Sequence, residues 1–115
     1  MPNDCLFCKI AAKQVPAKIV RENERIVAFE DINPVAPTHV LLIPREHIGS
    51  SLEIGPANRA LAGELLETAA SIARERGFAD DGYRLVFNTN QAAGMTVAHL
   101  HLHLLGGRRF GWPPG

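Results

Sequence analysis

The sequence predicts an α+β fold with about five short strands, one long helix and one short helix. Histidine alternates with leucine from His99 to Leu105, which is the period-two pattern of a strand. A long amphipathic pattern from Gly55 to Arg76 has the period of a helix, and short apolar stretches bounded by turn residues supply the other strands. The 115 residues suit a single domain, 1–115, with one core.

Charge and hydropathy narrow the class of protein. Lys plus Arg and Asp plus Glu number 12 each, so the formal charge is zero. Binding to a nucleic-acid backbone needs a basic surplus, so a nucleic acid is not an expected partner, whereas a single nucleotide is compatible. The N-terminal sequence lacks a basic region followed by a long apolar stretch, and no apolar run approaches a membrane span. We therefore expect a soluble, cytoplasmic protein without a membrane partner.

The first half of the chain is expected to form a short helix and three strands. The helix covers Leu6 to about Lys13. Ile19-Val20 and Arg25 to Glu30 then form the two strands of a hairpin. Thr38 to Pro44 carries an unbroken apolar run, which predicts a strand that is buried on both faces.

The second half contains the long helix and two further strands. Pro56 is expected at the first helical position and Gly77 just past the helix end, which is the usual asymmetry of helix termini. Tyr83 to Phe87 forms the next strand. The apolar stripe of the helix is expected to pack in the core or at a dimer interface, and it consists of Leu61, Leu65, Ala69, Ile72 and Ala73.

The three alternating histidines are expected to share one face of the last strand. On a helix, His101 would point away from His99 and His103, and the leucines would share no stripe. Polar filler on a half-solvated strand face is usually Thr, Lys, Glu or Ser, so three imidazoles indicate a function. They could bind a metal, or one of them could be a nucleophile whose neighbours hold the substrate.

The pattern His-apolar-His-apolar-His-apolar-apolar resembles the signature of the histidine triad (HIT) family. The segment Ala36-Pro37-Thr38-His39 and the tail Trp112-Pro113-Pro114 extend the resemblance over nearly the whole chain, toward the branch of purine nucleoside phosphoramidases. The resemblance implies a HIT-like antiparallel sheet, paired with a second sheet across a homodimer that the tail helps to form. It also implies binding of a purine nucleotide such as AMP or GMP, and cleavage of its phosphoramidates through a nucleotidyl-histidine.

The resemblance and the chemistry of imidazole together give a catalytic set. His101, the central histidine, is the expected nucleophile, and a hydrogen bond from its Nδ1–H to a backbone carbonyl would leave Nε2 free to attack. His103 and the hydroxyl of Thr96 would contact phosphate oxygens or the leaving atom, and His39 would support this network. Nucleotidyl transfer of this kind depends on positioning of the substrate phosphate, and no cofactor is expected to be required for the chemistry.

The family also implies a nucleotide-binding set. Asp31 would accept the ribose hydroxyls, although a turn-capping carboxylate is the simpler interpretation. The polar loop before the triad would hold the phosphate, or it is an ordinary hairpin loop. Met95 and Thr96 depart from the glutamine and serine common in the family. The full set is Phe29, Glu30, Asp31, Ile32, Asn88, Gly94, Met95, Thr96, His101 and His103.

The motif Cys5-Leu6-Phe7-Cys8 contains both cysteines of the chain. A disulfide is not expected in a reducing cytoplasm, and a redox pair belongs near a βαβ pattern that is absent from the sequence. Free thiols or half of a zinc site remain. Family members with this motif often bind a structural zinc, which implies the ligands Cys5, Cys8, His47 and His99.

Other functions stay open at this stage. A dinucleoside polyphosphate hydrolase or a nucleotidyltransferase would use the same kind of histidine. A nucleotide-sensing module would bind the nucleotide with little turnover. A zinc hydrolase would instead hold its metal with His99, His101 and His103.

Overall fold

The computed structural model describes residues 4–115 and confirms the α+β fold. Residues 1–3, the start of the segment in which no secretory signal is recognised, lie outside the described residues. None of the helices between residues 4 and 115 combines the length and the hydropathy of a membrane span. The main elements are α1 (Leu6–Ala11), β1 (Ile19–Glu22), β2 (Ile26–Glu30), β3 (Thr38–Pro44), α2 (Arg59–Glu75), β4 (Tyr83–Phe87) and β5 (Leu102–Gly106).

The strands form one five-stranded antiparallel sheet in the order β1-β2-β3-β5-β4. All seven residues of β3 are buried, as the unbroken apolar run predicts. Strand β5 pairs with β3 on one side and β4 on the other, with Leu41 opposite His103. The end of the histidine segment therefore lies in the interior of the sheet.

The two helices pack against opposite faces of the sheet. The buried face of α2 consists of the predicted Leu61, Leu65, Ala69, Ile72 and Ala73. These residues share a core cluster with Leu100, Leu102 and Leu104. Helix α1 contributes Phe7, Ile10 and Ala11 to a second cluster with Phe29 and Leu41. The alternating leucines thus enter the α2 core, as predicted.

The predicted strand from His99 is wrong over its first three residues, because β5 begins at Leu102. Its ladder with β3 runs only to the pair of Leu42 and Leu102. Close beyond Leu42, β3 ends at Pro44, which has no N–H for a ladder. The carbonyl of Pro44 accepts instead from Nε2–H of His99, at 2.9 Å. This side-chain bond replaces strand pairing at that point.

Both helices also differ from their predicted bounds. Helix α2 begins at Arg59, so the prediction that Pro56 is its first helical residue is wrong. The side chain of Asn58 accepts from the N–H of Gly55 at 2.7 Å, which closes a turn before the helix. Helix α1 ends at Ala11, and Lys13 has a φ of 61°, a left-handed conformation that stops the helix two residues early.

Candidate active site

A cavity of about 290 Å³ opens on the α1 face of the sheet. Its apolar wall includes Leu6, Phe7, Ile10, Val15, Phe29 and Leu41. Its polar side contains Glu30, Asp31, Thr96, His101 and His103, and Ile32 also lines it. The fold thus brings two triad histidines together with most of the predicted nucleotide-binding residues. A pocket that combines an apolar wall with a few convergent polar groups is typical of a small-molecule site.

One backbone contact orients the ring of His101. Its Nδ1 lies 2.7 Å from the carbonyl oxygen of His99, and the side chain is 6% exposed. A carbonyl can only accept, so Nδ1 carries the proton and donates it. In the neutral ring, Nε2 then has a free lone pair. The ring of Phe7 meets His101 edge-on, with centroids 5.0 Å apart.

A chain of hydrogen bonds fixes the protons of His39 and His103. The backbone N–H of Val35 donates to Nδ1 of His39 at 3.2 Å, so the proton of neutral His39 lies on Nε2. Nε2 of His39 lies 2.9 Å from Nδ1 of His103 and donates to it. His103 therefore carries its own proton on Nε2. Among the described residues this buried nitrogen has no partner, so it can donate to a ligand.

Burial keeps the imidazoles of His39 and His103 neutral. Burial lowers the pKa of His103 to about 4, and the adjacent His101 and His39 lower it further, against the opposing charge of Asp31. Burial also lowers the pKa of His39. Asp31 lies 3.4 Å from Nε2 of His39 and also accepts from the N–H of Asn33 at 2.8 Å, so it is a turn-capping carboxylate at the cavity. The neutral tautomers assigned to His39 and His103 therefore apply near pH 7.

Stability is expected to fall as the pH drops from 6.5 to 4. An unfolded histidine has a pKa of about 6.5, so in this window the unfolded chain binds a proton that native His103 does not. The difference amounts to about 3 kcal/mol. Urea unfolding at pH 6.5 and pH 4, with a chelator present throughout, measures it. His103→Asn should lose less stability over this range than the unmodified protein; equal losses would contradict the assigned pKa.

Of the remaining residues predicted to bind the nucleotide, two line the cavity and three do not. Glu30 forms a 2.8 Å ion pair with Arg76, which occupies part of its carboxylate. Ile32 is 91% exposed at the cavity edge. Asn88, Gly94 and Met95 are not among the residues that line this cavity. Their roles stay predictions from the family resemblance.

The predicted metal ligands, which include the first triad histidine, form a second cluster of side chains. One atom from each of Cys5, Cys8, His47 and His99 lies within 4.8 Å of the others. The Nδ1 atom of His99 is 3.4 and 3.5 Å from the two sulfurs, and that of His47 is 3.3 Å from Sγ of Cys8. A tetrahedral zinc ion with ordinary bond lengths holds sulfur and nitrogen ligands about 3.5 Å apart.

The donor chemistry also fits zinc. Nε2–H of His99 donates to the carbonyl of Pro44, so its Nδ1 lone pair faces the two sulfurs. A hydrogen bond on the remote ring nitrogen is the usual way to orient a histidine ligand. Burial raises the pKa of Cys8 to about 11, so without a metal Cys8 is a thiol whose proton an ion must displace. The residues therefore fit a closed structural zinc site.

The geometry does not favour a metal held by all three triad histidines. Among residues 4–115, His99 groups with the cysteines, whereas His103 groups with Asp31 and His39. Nδ1 of His101 is already a donor to a carbonyl.

Sequence reasoning missed several residues of the cavity, above all Phe7. It occurs between the two cysteines, and the sequence offered it only as an apolar position of a short helix. The backbone N–H of Val35, which sets the tautomer of His39, was also missed. A local sequence pattern cannot show which side chain will accept from a particular backbone N–H.

A segment of alternating histidines that leads into an antiparallel sheet, with two of its imidazoles in a cavity of about 290 Å³, is typical of the class of histidine triad proteins. The chain belongs to this family, because the HIT domain matches residues 12–110. It is 48% identical, over the full length of both chains, to an uncharacterised HIT-like protein of Synechococcus elongatus. It is also 41% identical to the purine nucleoside phosphoramidase of Escherichia coli, over 96% of this chain and 93% of that protein.

A solved structure agrees with this assignment. The HIT family hydrolase of Legionella pneumophila superposes with a TM-score of 0.95 at 48% identity, over 97% of this chain and all of the other. The family resemblance inferred from the triad is confirmed.

Proposed function

We propose that this chain, a single HIT domain over residues 1–115, hydrolyses purine nucleoside phosphoramidates at the P–N bond and releases AMP from the adenosine substrate. One observation carries the proposal: the 2.7 Å bond from Nδ1–H of His101 to the carbonyl of His99, which frees Nε2 as a nucleophile at the cavity. The name of the E. coli relative, purine nucleoside phosphoramidase, supports this substrate class.

The reaction proceeds in two displacements. Nε2 of His101 attacks the α-phosphorus in line and forms a P–N bond, while the substrate P–N bond breaks and its electron pair stays on the leaving amine, which takes a proton from solvent water. Nε2–H of His103 and the hydroxyl of Thr96 donate to a phosphate oxygen or to the leaving nitrogen. Water then attacks phosphorus and gives a proton to solvent, the P–N bond to His101 breaks, and AMP and neutral His101 are released. His39 acts through His103, whose tautomer it fixes.

The nucleoside occupies the apolar end of the cavity. Phe29, Glu30 and Ile32 lie beside the base and sugar, and Asp31 accepts the ribose hydroxyls. Its carboxylate has acceptor capacity beyond the turn bond to Asn33. Loop residues Asn88, Gly94 and Met95 are assigned to the phosphate and leaving group on the family resemblance.

Zinc is proposed as a structural ion, held by Cys5, Cys8, His47 and His99. It would crosslink α1 to the segments that follow β3 and precede β5, and it takes no part in the chemistry at phosphorus. The site requires reduced cysteines, which supports a location in the reducing cytoplasm.

The active form is proposed to be a homodimer. Strand β4 is an edge of the sheet, and an uncovered edge is normally protected or paired. A cavity of about 670 Å³ beside β4 is lined by Tyr83, Arg84 and Phe110, and the indole of Trp112 is 85% exposed. A second copy would cover this surface. A solution mass of one 12.5 kDa chain would contradict this proposal.

Adenosine phosphoramidate is expected to turn over at least about 10-fold faster than a dinucleoside polyphosphate. Nε2–H of His103 can donate a hydrogen bond to a leaving amine, whereas the described residues that line the cavity include no lysine or arginine to neutralise a polyphosphate leaving group. A steady-state comparison of kcat/KM tests this, with the guanosine phosphoramidate as a test of base preference. Faster polyphosphate cleavage would contradict the proposal, and tight AMP binding without turnover would indicate a sensing module.

A further inference from the structure

We infer that Phe7 is a positioning residue through which the cysteine-histidine metal site controls nucleotide binding. The inference rests on the proposed function and on the proposed zinc site. It concerns a coupling between the two sites, which are separate clusters of side chains joined by one short helix.

Helix α1 belongs to both sites. Cys5 precedes it as the N-cap, with its sulfur accepting from the N–H of Cys8 at 3.4 Å, and Cys8 lies in the helix. The same six-residue helix supplies Leu6, Phe7 and Ile10 to the cavity. Half of the metal ligands and one wall of the cavity are therefore fixed to each other by a few residues of backbone.

Phe7 is the contact between the two sites. Its ring is 5% exposed and meets Phe29, His101 and His99 edge-on, at centroid distances of 5.5, 5.0 and 6.0 Å. One ring thus touches the base-side wall, the nucleophile and a metal ligand. Moving the start of α1 would move this ring away from all three.

The metal would determine where α1 begins. A helix of six residues is too short to be stable by itself, so tertiary contacts hold it. At its C-terminal end, the guanidinium of Arg45 donates to the carbonyl of Ala11 at 2.9 Å. At its N-terminal end, apart from apolar packing, the described polar contacts to other elements are those of the two cysteines with His47 and His99. A bound ion converts these weak contacts into bonds.

Coupling of this kind is reciprocal. If zinc favours the position of Phe7 that forms the cavity wall, nucleotide bound against that wall favours zinc by the same factor. Couplings between sites commonly change affinity by about 5- to 150-fold. We expect a factor of about 10 here, since one wall of the cavity is involved rather than all of it.

Calorimetric titration with AMP of the zinc-loaded and the chelator-treated full chain tests the inference. The Kd for AMP should rise about 10-fold when zinc is removed, and the Kd for zinc should fall by the same factor at saturating AMP. Phe7→Leu keeps an apolar side chain but lacks the ring edge, so it should bind zinc normally and lose most of the coupling. An AMP affinity that is independent of zinc, or unchanged coupling in Phe7→Leu, would overturn the inference.

A second variant separates coupling from general loosening. Leu65→Ala makes a hole in the α2 core, on the opposite face of the sheet, and should lower stability without changing the coupling. Equal loss of coupling in Leu65→Ala would overturn the role of Phe7. If the zinc-free chain does not fold, the zinc-loaded Phe7→Leu protein still decides: it should bind AMP about 10-fold more weakly, and unchanged affinity would overturn the inference.

Failure of the inference can be distinguished from failure of the proposed function. Zinc-independent AMP binding, together with turnover of the phosphoramidate, would reject the coupling and leave the function intact. Absence of AMP binding to either form would reject both.

Discussion

His101→Ala is expected to lower kcat/KM for adenosine phosphoramidate by at least about 10⁴-fold, because the variant lacks the atom that bonds to phosphorus. The loss should fall on kcat, since the apolar wall and Asp31 that hold the nucleoside remain. Steady-state kinetics combined with AMP titration separate the two effects, and the Kd for AMP should change only a few-fold. A variant that retained a tenth of the activity would contradict nucleophilic catalysis by His101.

His39→Ala provides the matched comparison. It removes an imidazole that acts only through His103, and it leaves His101 and its bond to the His99 carbonyl in place. Its loss of activity should be clearly smaller than that of His101→Ala. Equal losses would indicate that general damage to the histidine network, rather than removal of the nucleophile, explains the result.

Removal of zinc is expected to lower the midpoint of thermal unfolding by about 15 °C. An ion that binds only the native state at about 1,000 times its Kd contributes about 4 kcal/mol, and each kcal/mol shifts a domain of this size by about 4 °C. Scanning calorimetry with and without a chelator measures the shift. The double variant Cys5→Ser/Cys8→Ser should unfold near the chelated midpoint and respond no further to chelator.

The same experiment separates the open interpretations of the Cys-x-x-Cys motif. If chelation leaves the midpoint of the unmodified protein unchanged, the cysteines are free thiols and the proposed zinc site is wrong. A response to reductant but not to chelator would indicate a redox pair. The 3.3–3.5 Å spacing of the sulfur and nitrogen atoms favours the zinc outcome.

Local patterns predicted those parts of the fold that depend on local physics. The apolar run of β3 and the buried stripe of α2 were both right, because burial on two faces or on one helical face sets the residue pattern. The helix start was wrong because a turn closed by Asn58 excludes Pro56 from α2. The start of β5 depends on Pro44 of its partner strand, 58 residues earlier than Leu102, and no local pattern contains that information.

In the candidate site, too, local patterns predicted some features, while others depend on residues that are distant in the sequence. Alternation alone placed the leucines in the core and indicated a functional face for the histidines. The bond between His39 and His103 joins residues 64 apart and follows from the register of β3 and β5, which requires the fold. Phe7 could not be distinguished from any other core aromatic until the position of α1 was known. The roles of Asn88, Gly94 and Met95 rest on family resemblance and stay predictions.

Peptide mapping of the protein during turnover tests the central claim most directly. Rapidly quenched samples, kept at neutral to alkaline pH to preserve a phosphorus–nitrogen bond, are analysed by mass spectrometry. We predict a nucleotidyl group attached to His101, absent from His101→Ala and lost on further incubation as AMP is released. Turnover without any adduct, or with the nucleotidyl group attached to a different residue, would contradict the account.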